Sequence, residues 1–462
     1  MRPTSNPTDR PTDDTTPLIS RRATRLYRGV LGKAVPTATG RVRRLLPHIA
    51  VPQLRFLAFL AVLGPGIITA SADNDAGGIT TYSIAGAQFG YGLLWILLLT
   101  TFSLGITQEM GARMGIVTGK GLAALIREKF GIRWTGFAML ALLIANFGST
   151  AADIAGIGAA LEIFGVSKYI SVPVALMALF LLVFKGNFRW VERIFLFSAA
   201  LYIAYIVSGI QAHPDWGAAF KNTVVPSFQL RRDYIIAFIA TIGTTITPWG
   251  QFFIQAYCVD KQLRKEDLNL ERGDVYFGTF VTNFIAFFIV VATAATLYVH
   301  GQSINDASDA AQALAPLAGG FAAFLFAIGL FNAALLGSAT LPLSTAYAAS
   351  EAFGTELGLD RRFKQAPFFY SIYTAALIIA ALFVLLPGIP LIGVLFISQM
   401  VNGILLPIIL VFVLLIINDK AVMGRYTNGF VFNAVTWITV VALIFVSLLL
   451  IPVTIIQQIN GG

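Results

Sequence analysis

The chain has 462 residues, of which 57% are hydrophobic and only 12% are charged, and its mean hydropathy is +0.77. These values exclude a soluble domain, enzymes included, and indicate a membrane protein with several spans. The net charge of +9 would suggest nucleic-acid binding in a soluble chain, but in a membrane protein basic loops set the orientation. The single cysteine, Cys258, permits neither an internal disulfide nor a thiolate metal cluster.

Residues 1–54 are polar, with proline and threonine at the start and arginine afterwards. No apolar run follows these charges within the segment, so it lacks the pattern of a signal peptide. We expect a disordered, basic cytoplasmic tail.

Apolar runs of span length follow one another along the rest of the chain, and a bilayer-spanning helix needs ~20 such residues. Eleven runs predict eleven transmembrane helices. They are 57–90, 92–116, 134–163, 169–186, 188–211, 234–258, 274–299, 318–350, 366–386, 389–417 and 428–456.

The loops between these runs differ in charge. One side carries sixteen basic residues and the other side four. The sixteen lie within 120–133, 185–193, 261–272, 361–364 and 420–425, and the four are Lys168, Lys221, Arg231 and Arg232. Because basic loops stay in the cytoplasm, we expect a cytoplasmic N-terminus, an external C-terminus and a location in the cell membrane.

The first apolar run is interrupted by Asp73-Asn74-Asp75-Ala76-Gly77-Gly78. Carboxylates and irregular backbone occur at membrane depth where they line a cavity within the protein. The alternative, an extramembrane loop between two spans, leaves the halves 57–72 and 79–90 too short to cross the bilayer. We therefore predict a helix that is broken around a substrate site.

The sixth run is interrupted as well, because residues 242–251 read Ile-Gly-Thr-Thr-Ile-Thr-Pro-Trp-Gly-Gln. Proline removes a backbone donor and frees carbonyl groups to face a ligand. Interruptions at matching positions of two five-helix halves are typical of inverted-repeat transporters with a site at the midplane. We expect repeat 1 in residues 55–211, repeat 2 in 212–418, and an additional helix 11 in 419–462.

The residues around the first interruption resemble the Nramp family of divalent metal transporters. When that family's first span is aligned without gaps from Gly64, its Asp-Pro-Gly-Asn metal motif falls on residues 75–78. Gly90-Tyr91 and Leu93-Leu94-Trp95 then match the family as well. The resemblance covers nearly all of spans one to ten and implies an all-α, leucine-transporter-type 5+5 inverted repeat with broken helices 1 and 6.

The sixth span departs from the family pattern. Thr244 takes the position of the carbonyl ligand, Thr247 replaces a methionine ligand, and Trp249 replaces a histidine. Losing the thioether weakens discrimination for Mn, Fe and Cd over hard ions. The chain thus resembles a branch of Nramp-related proteins proposed to carry magnesium, with the ion partly hydrated.

Other family positions are kept only in part. In the third span Asp153 matches the first acid of the proton pathway, but Gly156 stands where the second is expected; in the tenth span Ser398-Gln399 is retained. The resemblance implies that Asp153 is what remains of a proton route. The implied metal site consists of Asp75, Asp73, Gly78, Thr244, Thr247 and Gln399, with carbonyl oxygens of Ser71 and Ala72.

We therefore expect a transporter that imports a divalent cation of the Mg, Mn or Fe class by alternating access, without covalent chemistry and without a cofactor. Its expected partners are the metal ion and the lipid bilayer, with no nucleic acid, and a monomer is the default. Two alternatives stay open: a transporter of the same fold for amino acids or other organic solutes, and a cation channel or metal sensor.

Overall fold

The computed structural model describes residues 73–185, 202–355 and 363–459. Every regular element within these residues is helical, as predicted. The helices are α1 (Ala76–Phe89), α2 (Leu94–Thr118), α3 (Leu122–Glu162), α4 (Lys168–Lys185), α5 (Ile203–Gln211), α6 (Trp216–Val224), α7 (Arg232–Thr245), α8 (Pro248–Asp260), α9 (Leu268–Thr296), α10 (Ala307–Ala311), α11 (Ala315–Ala318), α12 (Ala322–Phe353), α13 (Pro367–Val384), α14 (Leu391–Ile417), α15 (Lys420–Met423) and α16 (Phe430–Ile459).

Seven helical segments of the described residues are long and apolar enough to cross a membrane. The predicted total of eleven spans stays a prediction, because the tail 1–54, the half-span 57–72 with Ser71 and Ala72, and much of the run 188–211 lie outside the described residues. The helical path of α3 begins twelve residues before the predicted start at 134, and it turns at Gly131, where φ is 80°.

The start of α1 has a local cause. Asp75 has an extended backbone, with ψ of −178°, and its side chain accepts a hydrogen bond from the Gly78 amide, which makes it the N-cap of α1. An aspartate in this position satisfies one of the free amides at a helix start and fixes the point at which the helix begins.

The break between α7 and α8 follows from Pro248. A proline cannot donate to the carbonyl four residues earlier and its ring clashes with that carbonyl, so α7 ends at Thr245. The residue before a proline prefers an extended backbone, and Thr247 has φ −86° and ψ 144°. Pro248 then occupies the first turn of α8, where its missing N–H costs nothing.

Helix α1 lies in the interior of the bundle, and its residues from Ala76 to Ala87 are all buried. It packs against α7, α9, α12 and α14, while α3 packs along α12 and α14. Helices α7 and α14 come close together at Gly243, where a Cβ would overlap the backbone of Gln399 and Gly403. The fold thereby brings the start of α1 and the break between α7 and α8 to one buried region.

Candidate functional site

Three carboxylates surround the start of α1. Asp73, Asp75 and Asp153 are 1%, 2% and 0% exposed. The Gly78 amide donates to Asp75 Oδ1 at 2.7 Å, and the Ala76 amide donates to Asp153 Oδ1 at 3.3 Å. No ion pair within the described residues involves any of the three. Because a buried carboxylate without a counter-charge is costly, this region is suited to a cationic ligand.

The break between α7 and α8 faces the start of α1 through Thr247. Its hydroxyl donates to Asp73 Oδ1 at 3.5 Å and accepts from the Gly250 amide at 3.3 Å. The hydroxyl therefore caps α8 and contacts a site carboxylate at the same time. Asp73 Oδ2 has no hydrogen-bond partner within the described residues.

Thr244 lies across from Gly78. A Cβ on Gly78 would lie 3.0 Å from the Asp73 carbonyl oxygen, 3.2 Å from Thr244 Oγ1 and 3.4 Å from Asp75 Oδ1, so the glycine lets three oxygen atoms approach the start of α1 closely. The carbonyl of Thr244 would bond to the N–H of residue 248 in a continuous helix, but Pro248 has none. Thr244 thus brings a carbonyl without a helical partner and a hydroxyl to the same region.

Gln399 reaches the site from α14. Its amide nitrogen lies so close to Gly77 that a Cβ there would overlap it. Asn402 Nδ2 donates to Gln399 Oε1 at 2.8 Å and to Ser149 Oγ at 2.8 Å, which fixes the amide with its nitrogen toward α1. An N–H group cannot ligate a cation, but it can donate to a water molecule in the hydration shell of a cation.

Several buried polar atoms around the start of α1 and the break between α7 and α8 have no hydrogen-bond partner within the described residues. They are Asp73 Oδ2, Asp153 Oδ2, Thr244 Oγ1, Gln399 Nε2 and both amide atoms of Gln108. Buried polar groups are nearly always hydrogen-bonded, so such a cluster indicates a polar ligand or water. Across residues 73–185, 202–355 and 363–459, no three Asp, Glu, His or Cys side chains converge closely enough to hold a metal ion by themselves.

The structure adds residues that sequence reasoning missed. A Cβ on Gly250 would lie 3.1 Å from Gln108 Nε2 and 3.7 Å from Asp73 Oδ1, which places Gln108 of α2 beside the break between α7 and α8. Tyr202 donates its hydroxyl to the Asn74 carbonyl at 2.7 Å and so fixes the turn before α1. An amide within the apolar run of α2 was the one available signal for Gln108.

Comparisons with known proteins agree with this architecture. Residues 66–452 match the family model Nramp, described as natural resistance-associated macrophage protein-like. The divalent metal cation transporter MntH of Ralstonia nicotianae is 30% identical over 398 residues, which cover 82% of this chain and 87% of that protein.

Solved structures show the same fold. The Eremococcus coleocola manganese transporter, in complex with an aromatic bis-isothiourea substituted compound, superposes with a TM-score of 0.72 at 19% identity, over 93% of this chain and 91% of that one. MhsT in complex with L-phenylalanine gives a TM-score of 0.57 at 14% identity, over 83% of this chain and 98% of that one. These likenesses confirm the predicted fold.

Proposed function

The chain belongs to the Nramp family, and on that premise we propose that it imports divalent metal cations across the cell membrane by alternating access. The observation that carries the proposal is the set of three buried carboxylates, Asp73, Asp75 and Asp153, without a basic partner in the described residues. A divalent cation compensates this charge, and a movement of the two broken helices exposes it to one side at a time.

We propose further that the ion keeps part of its hydration shell. Asp75 and Asp73 supply carboxylate oxygens, and Thr244 and Thr247 supply carbonyl or hydroxyl oxygens. Gln399 donates to bound water through its Nε2, which has no hydrogen-bond partner within the described residues. Mg²⁺ prefers oxygen ligands, keeps several waters and is usually bound through one or two carboxylates, which supports magnesium as the favoured ion.

An organic substrate with a carboxylate fits this site poorly. In related folds the amides at broken-helix N-termini bind such a group. Here Asp75 and Asp153 accept from the first amides of α1, and Thr247 accepts from the Gly250 amide of α8. The three carboxylates would also repel an anion. These contacts favour a cation over an amino acid.

The proposed orientation places the N-terminus in the cytoplasm and the C-terminus outside. It follows from the sixteen basic residues on one set of loops against four on the other.

A ligand screen by thermal unfolding tests the proposal. A ligand that binds only the folded protein at a hundred times its dissociation constant stabilises it by about 2.7 kcal/mol. We expect Mg²⁺ and Mn²⁺ to raise the unfolding temperature of the purified chain and L-amino acids to leave it unchanged. Stabilisation by an amino acid, with none by either metal, would favour the organic-solute alternative.

Replacing Thr247 by methionine is expected to shift selectivity from Mg²⁺ toward Mn²⁺ and Cd²⁺, because a thioether favours softer ions. A tenfold change in the Cd²⁺ to Mg²⁺ preference corresponds to about 1.4 kcal/mol, a reasonable size for one ligand. Competitive uptake into vesicles measures it. Thr247→Leu is the matched control, since it removes the same hydroxyl and the same helix cap without adding sulfur. Equal preferences in the two variants would show that residue 247 does not face the ion.

Metal transport is expected to be weakly coupled to protons or uncoupled. Of the family's proton-pathway residues this chain keeps Asp153, while Gly156 and Trp249 replace the other acid and the histidine. Uptake driven by a metal gradient at equal pH on both sides should therefore proceed without acidifying the vesicle interior, as read by a trapped pH dye. A stoichiometric acidification that Asp153→Asn abolishes would refute this expectation, since asparagine can still accept from the Ala76 amide.

A further inference from the structure

An apolar groove runs along the surface of the helix bundle between α3, α14 and α16. Its volume is about 630 Å³, and its lining includes Phe130, Trp134, Ile404, Val411 and Leu448. Several of these side chains face outward, since Trp134 is 56% exposed and Leu448 61%. In a membrane protein an outward-facing apolar groove is in contact with lipid.

The groove has the length of one acyl chain. On α14 it extends from Ile404 to Leu415, which at 1.5 Å per residue is about 16 Å. This is about half of the ~30 Å hydrocarbon core of a bilayer. The groove is therefore as long as one leaflet of the hydrocarbon core is thick.

One end of the groove is basic. Lys129 donates to the Leu415 carbonyl at 2.7 Å and pairs with Asp419 at 2.7 Å, so its own charge is neutralised. Arg133, next to Trp134, and Lys420 are exposed. Neither forms an ion pair within the described residues. Two cations without an ion-pair partner thus lie at this end of the groove. Trp134 lies at the same end, and because tryptophan is typical of a membrane interface, it indicates the level of the lipid head groups.

We propose that this groove is a binding site for an anionic phospholipid of the inner leaflet. One acyl chain occupies the groove from Trp134 to Leu448, and Arg133 and Lys420 contact the phosphate. The assignment to the inner leaflet rests on the orientation given under the proposed function. Basic residues at the cytoplasmic end of an apolar groove are the features that select anionic head groups.

Ser447 distinguishes an acyl chain from a polar occupant. It lines the groove, and its Oγ has no hydrogen-bond partner within the described residues. An acyl chain offers no hydrogen bond, so Ser447→Ala should not change lipid binding. Ser447→Phe places a ring in the groove and should displace the chain.

The test measures which lipids stay with the full-length protein. The protein is extracted with mild detergent from vesicles of equal phosphatidylglycerol and phosphatidylcholine, and retained lipid is quantified by mass spectrometry. We expect phosphatidylglycerol to be enriched, and the enrichment to fall about fivefold for each cation removed in Arg133→Gln and Lys420→Gln. Lys261→Gln is the control, since Lys261 lies over the Tyr257 ring, away from the groove.

Four outcomes would overturn the proposal, and three of them concern lipid retention. They are equal retention of both lipids by the unaltered chain, unchanged retention in Ser447→Phe, and loss of retention in Ser447→Ala, which would indicate a polar occupant. A dimer that Ser447→Phe dissociates would assign the groove to a second copy instead. Stabilisation by Mg²⁺ is measured on the same preparations. Because lipid retention does not require a working metal site, this measurement distinguishes a failure of the lipid proposal from a failure of the proposed function.

Discussion

Asp75→Asn is expected to reduce divalent cation uptake to the level of empty vesicles while the protein still folds. The change removes one of the three buried carboxylates, the one that caps α1. Asparagine is about as good an N-cap as aspartate, so the bond from the Gly78 amide is kept and stability should change little. Uptake into proteoliposomes, together with the thermal unfolding profile, measures both effects.

Asp215→Asn is the matched control. Asp215 is the N-cap of α6 and accepts from the Ala218 amide at 2.9 Å, but it is exposed and remote from the breaks. It should transport as the unaltered chain does. If Asp75→Asn also retained full uptake, the principal ligand would lie elsewhere, and Asp73 would be the first residue to examine.

Gly243→Ala is expected to destabilise the protein and to abolish transport. The added methyl group would overlap the backbone of Gln399 and Gly403, so α7 must move away from α14. Overpacking of this kind typically costs 1–3 kcal/mol. The displacement would also separate Thr244, on α7, from Gln399 of the site. The unfolding temperature should fall, and uptake into proteoliposomes should be lost.

Gly329→Ala provides the comparison, because Gly329 lies within α12 and a Cβ there would meet nothing within 4 Å. Alanine is a better helix former than glycine, so this variant should be as stable as the unaltered chain or more stable. Equal behaviour of the two variants would mean that the close approach at Gly243 has no role in holding the site.

The start of α1 and the break between α7 and α8 could be predicted from sequence because their causes are local. Pro248 ends α7 by chemistry that acts within one turn, and Asp75 caps a helix through the amide three residues ahead. The short helix α6 has a local signal too, the Asp215 cap, but nine residues are too few to appear in a count of spans.

The missed features depend on residues that are distant in sequence. Gln108 comes to Asp73 through the packing of α2 against α8. Tyr202 bonds to Asn74 across 128 positions. The direction of the Gln399 amide is set by Asn402, which also bonds to Ser149. A pattern of residue types along one chain does not contain such contacts, because they arise when helices pack.

The most direct test of the central claim is competitive uptake of Mg²⁺ and Mn²⁺ into proteoliposomes that hold the full-length chain and a trapped pH dye. We expect saturable uptake of both ions, with each inhibiting the other, no acidification at symmetrical pH, and no uptake by Asp75→Asn. Absence of divalent uptake, or flux that does not saturate and survives Asp75→Asn, would contradict the account.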